Sequence, residues 1–145
     1  MRRLTCVLFV LLSIVGFMST ASAQVRPTGK QDSGFVLEQN YPNPFNPETK
    51  IPFVLGEELF QTGRPVVVSV RIFNVLQQFI TAPTALNHPQ GEGVPVLELE
   101  YPFPGRFEAY WDGRDSSGRK VASGVYFVQL VVNGDAQIRK MFVTK

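Results

Sequence analysis

The sequence predicts an all-β fold, an Ig-like β-sandwich of about seven strands that follows an N-terminal signal peptide. Three observations support this prediction. Apolar and polar residues alternate along several short segments. No segment keeps apolar residues at the helical period. The 12 glycines and 11 prolines indicate many short segments joined by turns. A closed barrel is the alternative architecture.

Residues 1–23 have the three parts of a cleavable secretory signal peptide. Arg2 and Arg3 form the basic start, 4–17 is mainly apolar, and 21–23 (Ala-Ser-Ala) places small residues at a cleavage site. A membrane-spanning helix needs about 20 predominantly apolar residues, which is more than this run supplies. We therefore expect cleavage after position 23 and export of the remaining chain.

Loss of this segment changes the charge and the cysteine content. The chain has 14 basic and 12 acidic residues, and removal of Arg2 and Arg3 leaves 12 of each, a formal charge of zero. No basic cluster with interleaved aromatic residues occurs, so nucleic-acid binding is not expected. The single cysteine, Cys6, lies within the predicted signal peptide, so burial rather than disulfides must stabilise the fold. The sequence has no second long apolar run, so no transmembrane span is expected after the signal peptide.

The rest of the chain divides into a tail and one domain. Residues 24–34 are polar, without a period, and predict a flexible tail, whereas 35–145 predict the β-sandwich. The proline-rich stretch 41–47 must be extended, because each proline fixes its own φ and restrains the preceding residue. We expect this stretch to lie across the sandwich as a structural support, with Tyr41 and Phe45 as apolar anchors.

The predicted strands recur at short intervals, at 49–55, 66–73, 79–82, 96–101, 106–111, 124–132 and 137–144. The second shows the clearest alternation, with Val66, Val68, Val70 and Ile72 on one face. Pro52 predicts an edge position or irregular pairing for the first strand.

Five segments carry further specific expectations. In 96–101, Glu98 and Glu100 should face water while the intervening leucines face the core, as acidic groups on an exposed strand face usually do. The run 124–132 is almost wholly apolar and predicts a central strand, and the final strand should present an edge. Residues 56–62 permit one helical turn. The stretch 83–104 is longer than a simple hairpin requires.

Three stretches, 37–53, 70–78 and 111–127, together with the later pair Lys140-Met141, carry a family resemblance. In this order they resemble the type A C-terminal sorting domain of bacterial type IX secretion substrates, and equally the related Ig-like domain of the flagellar hook-capping protein (FlgD Ig-like). The residues that carry it are Asn40, Tyr41, Pro42, Asn43, Pro44, Phe45, Asn46, Pro47, Trp111, Asp112, Gly113, Gly118, Ser123, Gly124, Tyr126, Lys140 and Met141.

The resemblance implies a non-enzymatic module recognised by secretion or surface-attachment machinery, or by neighbouring surface proteins. It implies passage through the periplasm to the cell surface or the medium. Sorting domains usually follow a large passenger, whereas only 24–34 separates this domain from the predicted signal peptide. The domain is then itself the exported product, or the chain is a fragment or truncated paralogue. The alternative is a stand-alone structural or adhesive subunit. A carbohydrate-binding platform of Tyr101, Phe103, Phe107 and Trp111 is a third hypothesis, although core packing is the expected use of these aromatic residues.

Catalytic and metal-binding chemistry is poorly supplied. The only histidine, His88, lies in a Pro/Gly-rich loop without a nucleophile motif, so we expect it to be solvated and the chain to have no enzymatic activity and no cofactor. One histidine without cysteine cannot supply a zinc site. Asp112 and Asp115 are weak calcium candidates, because calcium prefers 6–8 oxygen ligands, and capping of their own turns is the expected role.

Overall fold

The alternation of apolar residues builds two antiparallel sheets packed face to face in the computed structural model, which describes residues 33–145. The predicted signal peptide and most of the predicted tail lie outside the described residues. The strands are β1 (Phe35–Leu37), β2 (Thr49–Leu55), β3 (Val66–Asn74), β4 (Phe79–Thr81), β5 (Thr84–Leu86), β6 (Leu99–Tyr101), β7 (Gly105–Trp111), β8 (Gly124–Val132) and β9 (Asp135–Val143). The predicted helical turn is a 3-10 helix at Glu57–Phe60. Residues 33–145 contain no helix long and apolar enough to cross a bilayer.

The strand order confirms the predicted sandwich and its Ig-like topology. One sheet has the order β1-β2-β7-β5, and the other has β4-β3-β8-β9 with β6 paired to β3. In immunoglobulin terms these are strands A-B-E-D and C′-C-F-G. Tyr126, near the start of β8, donates its hydroxyl hydrogen bond to the Ala122 carbonyl at 2.9 Å. This is the tyrosine corner typical of such folds at the start of strand F.

The core lies between the sheets and follows the predicted periodicity. Val66, Val68, Val70 and Ile72 on β3 are buried. On the opposing sheet, β7 buries alternate residues as predicted from 106–111. Strand β8 lies between β3 and β9, as its apolar composition predicts. Residues 33–145 form nine strands instead of about seven, because the short strands β1 and β5 complete the first sheet.

Pro52 does not place β2 at an edge, so that prediction is wrong. Strand β2 lies between β1 and β7. The Pro52 carbonyl accepts the backbone N–H of Glu38 at 3.0 Å, just beyond the end of β1. The missing proline N–H therefore faces the side where the neighbouring strand has ended, and the pairing with β7 is kept.

The strand predicted at 96–101 is shorter than expected. Val96 is buried and Leu97 is exposed, the reverse of the predicted alternation. Glu98 has φ 48°, which interrupts the extended backbone. Its N–H donates a hydrogen bond to the Ser69 hydroxyl oxygen at 2.8 Å. Regular alternation begins only at Leu99, where β6 pairs with β3. Glu98 and Glu100 are both exposed, as predicted.

Candidate functional site

Two of the three stretches that carry the family resemblance meet at one end of the sandwich. Phe45 comes from 37–53, Trp111 and Tyr126 come from 111–127, and all three side chains are buried. The Phe45 and Trp111 rings meet edge to face at a centroid distance of 5.2 Å, and the Trp111 and Tyr126 rings at 5.6 Å. Such aromatic pairs contribute about 0.5–1.5 kcal/mol beyond the burial of their area. We call Phe45, Trp111 and Tyr126 the aromatic cluster.

The proline-rich stretch is joined to the C-terminal end of β9 by hydrogen bonds. The Phe45 N–H donates to the Phe142 carbonyl and the Thr144 N–H donates to the Phe45 carbonyl, both at 3.0 Å. The Asn43 side-chain oxygen accepts the Phe142 N–H at 3.0 Å. Strand β9 is an edge strand, as predicted, but this stretch covers its last residues, so its open edge is shorter than the sequence indicates.

Asn40 positions the start of this stretch from the interior. Its amide donates to the Pro42 carbonyl at 3.1 Å and to the Thr49 hydroxyl oxygen at 3.0 Å. The Thr49 hydroxyl in turn donates to the same Pro42 carbonyl at 3.0 Å. Both polar side chains are buried, and buried polar groups are stable only when hydrogen-bonded. Sequence reasoning placed Asn40 in the motif but did not identify Thr49 as its partner.

Tyr41 is not an apolar anchor, whereas Phe45 is. The Tyr41 side chain is exposed, and its hydroxyl donates to the Glu108 carboxylate at 2.7 Å. This hydrogen bond to Glu108 raises the pKa of Tyr41. A similar bond from Tyr110 to Glu48 raises the pKa of Tyr110 to about 12. Hydrogen bonds between tyrosine hydroxyls and carboxylates therefore make this part of the outer surface of the first sheet polar.

The turn after β7 contacts the proline-rich stretch directly. Gly113 has φ +72°, and a Cβ atom there would lie 2.4 Å from the Pro47 carbonyl oxygen. The Trp111 indole N–H donates to the Arg114 carbonyl at 2.9 Å, which closes the turn over the cluster. A groove of about 280 Å³ follows this contact, between Pro47, Gly113 and the C-terminal residues.

Asp112 and Asp115 cap their own turns, as expected. Asp112 accepts the Arg114 N–H at 3.0 Å. Asp115 accepts the Ser117 hydroxyl at 2.6 Å and the Ser117 and Arg119 N–H groups at 2.9 and 3.0 Å. The Ser117 hydroxyl bond is the main cause of the lowered pKa of Asp115. Within residues 33–145 no group of three or more His, Cys, Asp or Glu side chains is placed to hold a metal ion. No further acidic or histidine ligand therefore lies beside Asp112 and Asp115 in the described residues, and calcium binding by these two residues stays a prediction.

The remaining motif residues divide between the core and the surface. Met141 is buried opposite Tyr126 in the pairing of β8 and β9. Lys140 is exposed, with its ammonium group 5.5 Å from the centre of the Phe142 ring. Besides Tyr41 and Lys140, the exposed motif positions are Pro42, Pro44, Asn46, Pro47, Asp112, Gly118, Ser123 and Gly124. This end of the sandwich thus combines buried motif residues that stabilise the fold with exposed motif residues that a partner can contact.

His88 is buried, so the prediction of a solvated loop histidine is wrong. Its Nε2 lies 2.9 Å from the Glu100 carbonyl oxygen, and the Gln90 N–H donates to Nδ1 at 3.1 Å. Its ring meets Tyr101 edge to face at 4.7 Å. The contacts with Glu100 and Tyr101 on β6 arise from residues distant in sequence, which no local pattern indicated.

Replacing His88 by leucine should destabilise the fold by about 1–3 kcal/mol, because the Glu100 carbonyl and the Gln90 N–H lose their part-buried hydrogen bonds to the imidazole. The variant is measured by urea denaturation of a chain that lacks residues 1–23. Gln90→Ala is the control, since it keeps the backbone N–H and removes an exposed side chain. Equal stability of the two variants would contradict a structural role for the histidine.

The four aromatic residues of the carbohydrate hypothesis do not form an exposed platform. Tyr101, Phe107 and Trp111 are buried, and only Phe103 is exposed. The Tyr101 hydroxyl is buried without a hydrogen-bond partner in the described part of the chain, and burial raises the pKa of Tyr101. Tyr101, Phe107 and Trp111 therefore pack in the core, as expected, whereas Phe103 does not.

One solved structure supports the fold, and a second is a weaker match. One is dimeric latent PorU from Porphyromonas gingivalis, with a TM-score of 0.51 and 19% identity over 76% of this chain and 9% of that chain. The other is PorZ, described as an essential bacterial surface component of the type-IX secretion system of P. gingivalis, with a TM-score of 0.42 and 19% identity over 74% and 11%. The chain spans about a tenth of each. No family model and no curated protein matches the sequence.

Proposed function

We propose that this chain is an exported, non-enzymatic Ig-like module that secretion or surface-attachment machinery recognises in its folded form. The observation that carries the proposal is the convergence at the aromatic cluster. Two stretches that resemble a sorting domain, 37–53 and 111–127, are separated by tens of residues, yet the Trp111 ring contacts both Phe45 and Tyr126. Motifs whose role was only to form local turns would not need to place their aromatic side chains in contact across the fold.

The geometry also supports recognition of a folded surface rather than of a linear peptide. The proline-rich stretch, the turn after β7 and the end of β9 are joined by hydrogen bonds and by the close approach of Gly113 to Pro47. Asn46, Pro47 and Lys120 are exposed around the groove at this end. The likeness to PorU supports the fold of such a module.

A reporter experiment tests the proposal. Residues 35–145 are fused behind a signal peptide and a fluorescent reporter in a host with type IX secretion, and the reporter is measured in the periplasm, at the surface and in the medium. We expect the domain to move the reporter from the periplasm to the surface or the medium. The same reporter without the domain, and the same fusion in a host lacking the type IX machinery, are the controls. Retention in the periplasm with and without the domain would contradict the sorting role.

A further inference from the structure

The outer face of the second sheet is apolar. The β-sheet pairings place Phe73 beside Phe79 and Phe127, and the side chains of all three lie on the face opposite the core. Ile138 and Phe142 on β9 extend this surface, with 60% and 38% of their areas exposed. Contiguous exposed apolar surface of this kind marks interaction sites in soluble proteins. We call the outward side of β3, β4, β8 and β9 the apolar face.

The apolar face contains a depression large enough to receive an apolar side chain. A groove of about 540 Å³ lies between Phe73, Val75, Phe127, Gln129 and Ile138. Binding energy at protein interfaces is concentrated where an aromatic or aliphatic side chain fills such a site and excludes water. The groove therefore favours a partner that presents an apolar side chain.

The charges on this face have one sign. Arg71 and Lys140 are the only formally charged residues at the outward positions of β3, β4, β8 and β9. Neither lies within salt-bridge distance of a carboxylate among residues 33–145. Acidic residues approach β3 nearer its start, where Glu98 donates its N–H to the Ser69 hydroxyl and Glu100 lies opposite Val67.

The other sheet shows a different arrangement. There, Arg106 pairs with Glu38 at 3.0 Å and with Glu108 at 3.1 Å, so its cations are matched internally. Arg71 and Lys140 on the apolar face have no such internal ion pair among residues 33–145, so the carboxylates of a binding protein would complete their charge pairing.

The charge pattern selects among possible occupants. Two copies packed through this face would bring Arg71 and Lys140 toward groups of the same sign, which is destabilising. An anionic membrane gains about 1 kcal/mol for each basic residue near its surface, so two cations attract it weakly. A protein surface with carboxylates around an apolar side chain matches both the groove and the charges.

We propose that the apolar face is the docking surface for a second protein, whose contact surface presents an apolar side chain flanked by carboxylates. The proposal does not depend on the sorting role, since an attached or a freely exported module would expose the same face. It places the partner on the side of the sandwich opposite the core, not at the groove beside Pro47 and Gly113.

Site-specific photo-crosslinking of the full chain in its native host tests the proposal. The photoreactive residue p-benzoylphenylalanine replaces Phe79 or Ile138 on the face, and Val36 on the other sheet serves as the control position. Adducts are mapped by mass spectrometry to the residues of the partner. We expect protein adducts from Phe79 and Ile138, mapped to peptides with neighbouring Asp or Glu residues, and none from Val36.

A charge reversal gives the decisive comparison. The double variant R71E/K140E should lower the adduct yield by about tenfold or more, because charge pairs across interfaces couple strongly. The variant K50E/R64E has the same change of net charge away from the face and should leave the yield within about twofold. Equal thermal unfolding of the two variants excludes misfolding as the cause.

Adducts to a second copy of this chain, adducts to lipid alone, the absence of adducts above the Val36 level, or an unchanged yield in R71E/K140E would each overturn the proposal. Reporter localisation is scored separately, so a failure of sorting and a failure of docking are distinguishable.

Discussion

Gly113→Ala is expected to destabilise the protein by about 2–5 kcal/mol, because the change combines backbone strain with a steric clash. The backbone at Gly113 has φ +72°, a conformation that costs a residue with a Cβ atom about 1–2 kcal/mol. The new Cβ would also lie 2.4 Å from the Pro47 carbonyl oxygen, which is backbone and cannot turn aside. Relief of this contact must separate the turn after β7 from the proline-rich stretch.

Gly118→Ala is the matched control for this prediction. Gly118 lies in the next turn with φ +82°, and a Cβ atom there would meet nothing within 4 Å. Its substitution should cost only the conformational part, about 1–2 kcal/mol. Denaturation in urea compares both variants in the chain without residues 1–23. If the two substitutions cost the same, the contact with Pro47 contributes nothing to stability.

Phe45→Ala is expected to cost about 3–5 kcal/mol, the range typical for removal of a large buried aromatic side chain. The Phe45 ring is 1% exposed and contacts Trp111, while its backbone is bonded to Phe142 and Thr144. The cavity would open under the proline-rich stretch, so the bonds between this stretch and β9 should also weaken. The substitution is therefore expected to increase the rate of amide hydrogen exchange at Thr144 more than at the residues of β8.

Phe103→Ala tests whether this loss reflects position rather than residue type. Phe103 is 51% exposed, so its removal should cost about 1 kcal/mol or less. Thermal unfolding and urea denaturation measure both variants. A loss at Phe45 no larger than at Phe103 would remove the physical basis for treating the aromatic cluster as the centre of the site.

Periodicity in the sequence predicted the parts of the fold in which burial alone selects the structure. Strands β2, β3, β7 and β8 lie where alternation or a continuous apolar run placed them, because a two-residue period matches the two faces of a strand. The sandwich follows from the number of such strands and the absence of helical period. The resemblance also identified Phe45, Trp111 and Tyr126, although it did not say that they meet.

Local pattern failed where a residue far away in the chain supplies the decisive contact. Tyr41 reaches Glu108, so an aromatic residue in an apolar motif lies at the surface. The His88 ring is hydrogen-bonded to the Glu100 carbonyl and packs against the Tyr101 ring, so a histidine in a loop is buried. The Glu98 N–H is bonded by Ser69, at a point where the backbone turns out of the extended conformation and the predicted strand is shortened.

The sequence by itself therefore determined the fold class, most of the strands, the expected signal peptide and the residues of the family resemblance. Only the tertiary structure decided which polar groups are buried, which aromatic residues meet and which sheet face remains uncovered. The physical reason is that periodicity reports the solvent exposure of neighbouring residues. Hydrogen bonds and ring contacts between strands depend on sheet order and register, which bring together residues that no local window contains.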